Sequence, residues 1–208
     1  LTYSKVERVR SIDEILHPAV RNAMKMLDIR DIKLTYEADL PARSGLGTSS
    51  SFAVGLLNAF YAMKKSPMDK KRLADDAIYL ERVLCGEIGG LQDQIATSFG
   101  GFNKITFGPE GYEVHPLAIS PKRKARLNDN LLMFFTGFTR LASEVQKTNN
   151  ITAREKLDGL KKMYGLVDQA EAILTDDARD LDDFGRLLDD NWRLKRQSGP
   201  AVSTDHID

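Results

Sequence analysis

The 208-residue chain holds a single cysteine, Cys85, and a single tryptophan, Trp192. One thiol excludes an internal disulfide and suits a reducing compartment, so a cytoplasmic protein is expected. Cys85 falls late in an apolar helical pattern, which reads as a small core residue rather than a nucleophile. Three scattered histidines, His17, His115 and His206, exclude a Cys/His zinc site. No apolar run approaches the roughly 18 residues that a membrane-crossing helix needs, and no leader peptide is expected. Lys plus Arg and Asp plus Glu both number 30, so no global field draws in nucleic acid or anionic lipid. Neither is expected as a partner. The acidic group Asp176, Asp177, Asp180, Asp182 and Asp183 reads as a helix start or solvated face, not a metal cluster.

What is present is a glycine- and hydroxyl-rich stretch, Pro41-Ala42-Arg43-Ser44-Gly45-Leu46-Gly47-Thr48-Ser49-Ser50-Ser51. Ile32, Leu34 and Tyr36 alternate with Lys33, Thr35 and Glu37, which predicts a strand leading into it. From Thr48 onward, Phe52, Leu56, Phe60 and Met63 recur at helical spacing. Strand, glycine loop and hydroxyl-rich helix start form the order that polyphosphate binding requires. Glycines let backbone N–H groups approach phosphate oxygens, the helix start adds partial positive charge, and Ser or Thr can reach a metal ion. No Lys follows the second glycine, so this is not a G-x-x-x-x-G-K-[ST] loop. On its own the loop could also be a helix N-cap after a tight turn.

A second segment narrows the choice. Pro-x-x-x-Gly-Leu-Gly-Thr-Ser, from Pro41 to Ser49, is followed by Gly90-Leu91-Gln92-Asp93-Gln94 and then Gly100-Gly101. In order and spacing these resemble two signatures of the GHMP superfamily of small-molecule kinases, typified by galactokinase, homoserine, mevalonate and phosphomevalonate kinases. The resemblance implies an α+β, two-lobed fold, a ribosomal protein S5 domain 2-like lobe followed by a ferredoxin-like lobe. It also implies ATP and Mg2+ as cofactors and a small-molecule sugar phosphate as partner. The family's N-terminal basic segment and C-terminal Gly-rich loop have no counterpart between Leu1 and Asp208, so a fragment incomplete at both ends is expected.

Elsewhere the chain reads as a helix over residues 11–27 capped by Ser11, and another opened by Ser66-Pro67-Met68-Asp69. Strands are expected at Phe102–Phe107 and Tyr112–Leu117 around Gly108-Pro109-Glu110-Gly111, and a further one at Leu131–Phe135. The basic run Pro121-Lys122-Arg123-Lys124-Ala125-Arg126 is taken as an exposed connector. It divides an ATP-binding lobe, residues 1–125, from a C-terminal lobe, residues 126–208.

By resemblance, Pro41, Ser44, Gly45, Leu46, Gly47, Thr48, Ser49 and Ser50 would bind nucleotide. Ser49 and Glu81 would hold the metal ion, and Asp93 would be catalytic, accepting or orienting the proton of the substrate hydroxyl. Asp93 lies among small and apolar residues, where a carboxylate needs a cation or hydrogen bonds. Read without the family, Glu81 is a flank acid paired with Arg82 or Lys71, and Asp93 a helix cap.

Tyr3-Ser4-Lys5-x-Glu7, Phe99-Gly100-Gly101-Phe102-Asn103, Phe135-Thr136-Gly137-x-Thr139-Arg140-x-Ala142-Ser143 and Asn191-Trp192-x-Leu194-Lys195 add detail. With the two signatures they look like the D-glycero-D-manno-heptose 7-phosphate kinases, which phosphorylate an anomeric hydroxyl. Asp93, Gln94, Arg140 and Lys195 would then contact the sugar phosphate, the last two as cations for its phosphate. L-fucokinase-like domains share much of the pattern, and a non-catalytic sugar-sensing regulator is the alternative of another class.

Overall fold

The computed structural model describes residues 5–39, 45–134 and 153–197. Two compact units divide after Gly101, the second opening at Phe102. The first is helical. A single 3-10 turn, Ile12–Glu14, precedes α1 (Pro18–Met26), and α2 (Thr48–Met63) and α3 (Lys70–Ile78) follow. α3 runs on into a π-helical stretch, Tyr79–Leu84, and α4 (Gln92–Phe99) closes the unit.

The helix expected over 11–27 is therefore two pieces. Pro18 supplies no N–H and pushes the preceding residue out of helical geometry, so α1 starts at Pro18 with His17 extended before it. Ser11 caps the short turn instead, accepting from Asp13 N–H at 3.3 Å. α3 also starts later than expected. Its cap is Asp69, not Ser66, and the Asp69 carboxylate accepts from Arg72 N–H at 2.8 Å.

The core of this unit is built around α2, whose Ala53, Val54, Leu56, Leu57, Phe60 and Tyr61 are all buried. They pack with Val20, Ala23, Met24 and Leu27 of α1 and with Leu73, Ala77 and Leu80. Each large buried side chain contributes about 1.5–3 kcal/mol by leaving water. Polar ties fasten the helix ends to this core. Lys64 Nζ donates to Leu27 O at 2.8 Å beyond the end of α1, and Lys70 Nζ donates to Phe99 O at 2.6 Å at the end of α4. Asn22 Nδ2 donates to Leu84 O at 2.8 Å, and burial pushes the adjacent Cys85 thiol up, as suits a packing residue. The alternation at 32–37 is realised in burial, with Ile32, Leu34 and Tyr36 half-buried and Lys33, Thr35 and Glu37 exposed. Its backbone forms only an isolated bridge at Thr35, because among the described residues no strand offers it a continuous ladder.

The second unit contains an antiparallel hairpin, β1 (Asn103–Gly108) and β2 (Gly111–Pro116), paired from Asn103 opposite Pro116 to Gly108 opposite Gly111. Helices α5 (Pro121–Asp129), α6 (Ala153–Thr175) and α7 (Asp182–Arg196) accompany it. Leu127, Leu174 and Leu181 form its buried centre, with Phe102, Leu117, Ile119 and Phe184 against them. Residues 121–126 are not an exposed connector. They begin a capped helix whose Arg123 is 4% exposed and donates to Leu174 O at 3.1 Å and Ile173 O at 2.5 Å. The end of α6 leaves carbonyls without helical partners, and a guanidinium satisfies two of them. That tie joins α5 to the end of α6 within the second unit. Leu131, Leu132, Met133 and Phe134 are exposed and form no strand. Phe135 lies outside the described residues. No described helix is long and apolar enough to cross a membrane.

Candidate functional site

The loop before α2 ends in two left-handed residues, Gly45 at φ +79° and Gly47 at φ +68°. Gly47 is the N-cap of α2, and Ser51 N–H closes the first turn on Gly47 O at 2.9 Å. No side-chain cap closes this helix start, so among the described residues its first N–H groups have no side-chain acceptor. A Cβ at Gly47 would lie 3.4 Å from Asp93 Cγ and 3.5 Å from Asp93 Oδ2. The positive φ is what demands glycine, and the Asp93 carboxyl lies within van der Waals reach of the same position.

Asp93 stands in the first turn of α4, where the helix dipole favours an acid. It is exposed and so stays solvated, unlike the enclosed carboxylate expected from its apolar neighbours; it is not the cap either, since Leu91 is. The starts of α2 and α4 thus lie side by side, further linked by Ser51 Oγ and Thr97 Oγ1 at 3.5 Å.

Behind this pair sits Glu81, only 2% exposed rather than on a helix flank. The cause is the π-helical stretch, where Cys85 N–H bonds Leu80 O at 2.9 Å across a widened turn. The extra residue per turn swings Glu81 inward and Arg82 away, and π-turns of this kind recur at functional sites. Glu81 pairs with neither Arg82 nor Lys71. Lys71 bonds Asp75 at 2.8 Å, and Arg82 donates to Gly90 O at 2.6 Å and Glu87 O at 3.3 Å. Arg82 thereby ties down the loop that leads to Asp93, and Gly89 leaves the room, since a Cβ there would meet the guanidinium at 2.8 Å. The Glu87 carboxyl on that loop is held above its usual value by burial and by the nearby Glu81 charge.

Glu81 Oε1 accepts from Ser49 Oγ at 2.9 Å, and Oε2 accepts from Ser50 Oγ at 2.8 Å and from Gln94 Nε2. Ser49 is exposed, whereas Ser50 is 4% and Gln94 0% exposed. No described cation forms an ion pair with Glu81. Hydroxyl and carboxylate oxygens are the donors that hard divalent ions prefer, so Ser49 and Glu81 fit Mg2+. Among the described residues no three His, Cys, Asp or Glu converge, so an ion here would draw its remaining ligands from water or phosphate oxygens.

The expected residues sort as follows. Gly45, Leu46, Gly47, Thr48 and Ser49 line the loop and helix start beside Asp93. Ser50 and Gln94 are turned inward onto Glu81, so Gln94 does not present its amide to a ligand as expected. Lys195 is exposed in the last turn of α7, in the other unit. Pro41, Ser44 and Arg140 lie outside the described residues. Sequence reasoning missed Arg82 and the inward role of Ser50 and Gln94. A Gln directly after the aspartate was the one available signal, and it points either way until the helix phase is known.

Residues 14–101 match the GHMP kinases N terminal domain. The chain is 32% identical over 175 residues to a D-glycero-alpha-D-manno-heptose 7-phosphate kinase of Campylobacter jejuni, covering 82% of this chain and 51% of that protein. It is 29% identical over 179 residues to a bifunctional fucokinase/GDP-fucose pyrophosphorylase of Arabidopsis thaliana, covering 82% of this chain and 17% of that one. A solved D-glycero-D-manno-heptose 1-phosphate kinase from Bacteroides thetaiotaomicron superposes with a TM-score of 0.67 at 26% identity. The match covers 95% of this chain and 59% of that one. The chain thus spans about half the length of the first of these relatives, and its mixed helical and hairpin architecture follows that of the solved kinase.

Proposed function

We propose, from the premise that residues 14–101 belong to the GHMP kinase N-terminal domain family, that the chain carries the nucleotide- and metal-binding machinery of an ATP-dependent sugar kinase. The acceptor would be the anomeric hydroxyl of a sugar phosphate, D-glycero-D-manno-heptose 7-phosphate. The observation that carries the reading is one cluster. Asp93 lies against Gly47 at the open start of α2, and Ser49 and Glu81 join 2.9 Å apart just behind.

Bound Mg2+ and ATP would supply the γ-phosphoryl group and the charge that offsets its oxygens. The chain's own residues do the rest. Backbone N–H groups of Gly45–Ser49 would donate to the phosphate oxygens at the helix start. Ser49 Oγ and Glu81 Oε1 would hold the ion. Asp93 would accept a hydrogen bond from the sugar hydroxyl and take its proton as that oxygen bonds to the γ-phosphorus, while the bond from the γ-phosphorus to the bridging oxygen breaks and ADP leaves. Transfer of this kind is largely dissociative, so orienting that oxygen matters more than strong basicity. Lys195 and Arg140 are candidates for the sugar's own phosphate.

Similarity to both heptose phosphate kinases and a fucokinase makes the sugar the decisive variable. ADP release by the whole protein with Mg-ATP is compared across D-glycero-D-manno-heptose 7-phosphate, mannose 6-phosphate, galactose and L-fucose. The heptose phosphate should exceed the neutral sugars at least tenfold in kcat/KM, because an acceptor lacking phosphate leaves its cations unpaired. Highest kcat/KM for L-fucose would replace the heptose reading with a fucokinase. Absence of turnover with every sugar, alongside normal ATP binding, would favour a regulator.

A further inference from the structure

Among the described residues of the first unit, Gln94 is the most enclosed polar side chain, at 0% exposed, and it follows Asp93 directly. Burying an amide is destabilising unless hydrogen bonds satisfy it. Its Nε2 donates to Glu81 Oε2, while its Oε1 is buried and accepts no hydrogen bond from the described residues. The amide orientation is set by chemistry, since the reverse would press a carbonyl oxygen against a carboxylate.

The two oxygens of Glu81 are treated unequally. Oε2 takes two neutral donors from the interior, Gln94 Nε2 and the buried Ser50 Oγ at 2.8 Å. Oε1 takes only Ser49 Oγ, at 2.9 Å, on an exposed residue at the helix start. Neutral donors fix a carboxylate without cancelling its charge. A glutamate held this way has lost its rotamer freedom in advance and offers one oxygen in one direction. A guanidinium or ammonium in the same place would compete with a metal ion. None is there among the described residues, and Arg82, the adjacent cation, is engaged with the carbonyls of Gly90 and Glu87.

We infer that Gln94, with Ser50, is a positioning residue that locks Glu81 through its inner oxygen so that Oε1 and Ser49 Oγ receive the divalent ion. The inference rests on the kinase reading above and gives Gln94 a role other than contact with sugar. It couples the two halves of the site through one dipeptide. Asp93 faces the loop glycine, and Gln94, turned inward from the same helical turn, sets the metal ligand. Groups behind metal ligands typically change metal affinity about 10–100-fold when removed.

The test uses the purified whole protein, Mn2+ and ADP, with free Mn2+ read by electron paramagnetic resonance. Gln94→Met keeps the volume and removes the donor. It should weaken Mn2+ binding to the ADP complex about tenfold, while ADP affinity in EDTA stays within about twofold. Ser50→Ala should shift Mn2+ in the same direction by a smaller factor, and it decides the matter if Gln94→Met fails to fold by near-ultraviolet circular dichroism. In a Glu81→Gln background neither substitution should weaken Mn2+ binding further. Unchanged Mn2+ affinity in folded variants overturns the inference. So does a change confined to the KM of the sugar, which would make Gln94 a substrate contact. If the unsubstituted protein binds neither Mn2+ with ADP nor ADP alone, the kinase reading fails and the inference falls with it. Normal Mn2+-ADP binding that ignores Gln94 and Ser50 sinks the inference alone.

Discussion

Asp93 and Gly47 touch, yet their substitutions should fail in different ways. Asp93→Asn keeps the shape and removes the carboxylate proposed as the proton acceptor, so kcat should fall by roughly 10²–10⁴ with little change in ATP affinity. Steady-state kinetics beside calorimetric ATP binding checks this, and retention of more than a tenth of kcat removes Asp93 from the catalytic role. Gly47→Val puts a branched side chain at φ +68° and against Asp93. It should abolish ATP binding, because the loop can no longer keep its left-handed turn beside the phosphates. Normal ATP binding by that variant would make the loop a helix cap and nothing more. The contrast was half visible in the sequence. Two glycines and an aspartate at family spacing named the residues, but only the fold brings a residue of α4 against the N-cap of α2.

At the scale of elements, the site depends on how α2, α3 and α4 are held together. Tyr61 Oη donates to Asp76 Oδ2 at 2.6 Å and joins α2 to α3. Burial first, and then that bond to Asp76, pushes the Tyr61 hydroxyl up to about 12. The unfolded chain ionises near pH 10, so between about pH 10 and 12 the folded protein keeps a proton that the unfolded one releases. Stability from this group is full below pH 10 and is lost as pH rises through that window. Tyr61→Phe should lower stability by about 1 kcal/mol at neutral pH and flatten the alkaline fall, as urea denaturation at stepped pH would show. An unaltered alkaline slope would mean that other groups carry it. Periodicity located α2 to the residue at its start. It missed the π-turn, because inserting one residue into a helix leaves no mark on an apolar pattern that continues on either side.

For the molecule as a whole, each unit has its own buried centre, and the second depends on a cation. Arg123 is 4% exposed and satisfies the carbonyls of Ile173 and Leu174 at the end of α6. Arg123→Leu would leave both without a donor and should cost about 2–3 kcal/mol. Urea denaturation, with hydrogen exchange of the amides of α5 and the last turn of α6, measures it. A loss under 0.5 kcal/mol would mean that water replaces the guanidinium freely. In the same unit, Lys104 reaches Asp168 and Glu171, each at 2.7 Å, and ties β1 to α6. Those hydrogen bonds raise its pKa above the usual lysine value. That tie is therefore present below the ordinary lysine range and is lost only as pH climbs beyond it.

The sequence by itself carried the family signatures, the hairpin and the glycine loop ahead of α2, because each is written in local chemistry. Glycines with positive φ, a hydroxyl-rich helix start and a turn between alternating segments constrain the backbone whatever lies around them. Only the tertiary structure decided what Glu81, Gln94, Ser50 and Arg123 do. Each is a polar residue on an ordinary helical stretch, and solvated surface and buried network are equally consistent with such a residue in the primary sequence. What separates the two is where the helix face lands. A widened turn carries Glu81 inward, the start of α4 brings Gln94 to it, and the frayed carbonyls of α6 capture Arg123. Burial then makes each hydrogen bond obligatory, since an unpaired charge or amide there would cost more than the marginal stability of a small unit can absorb.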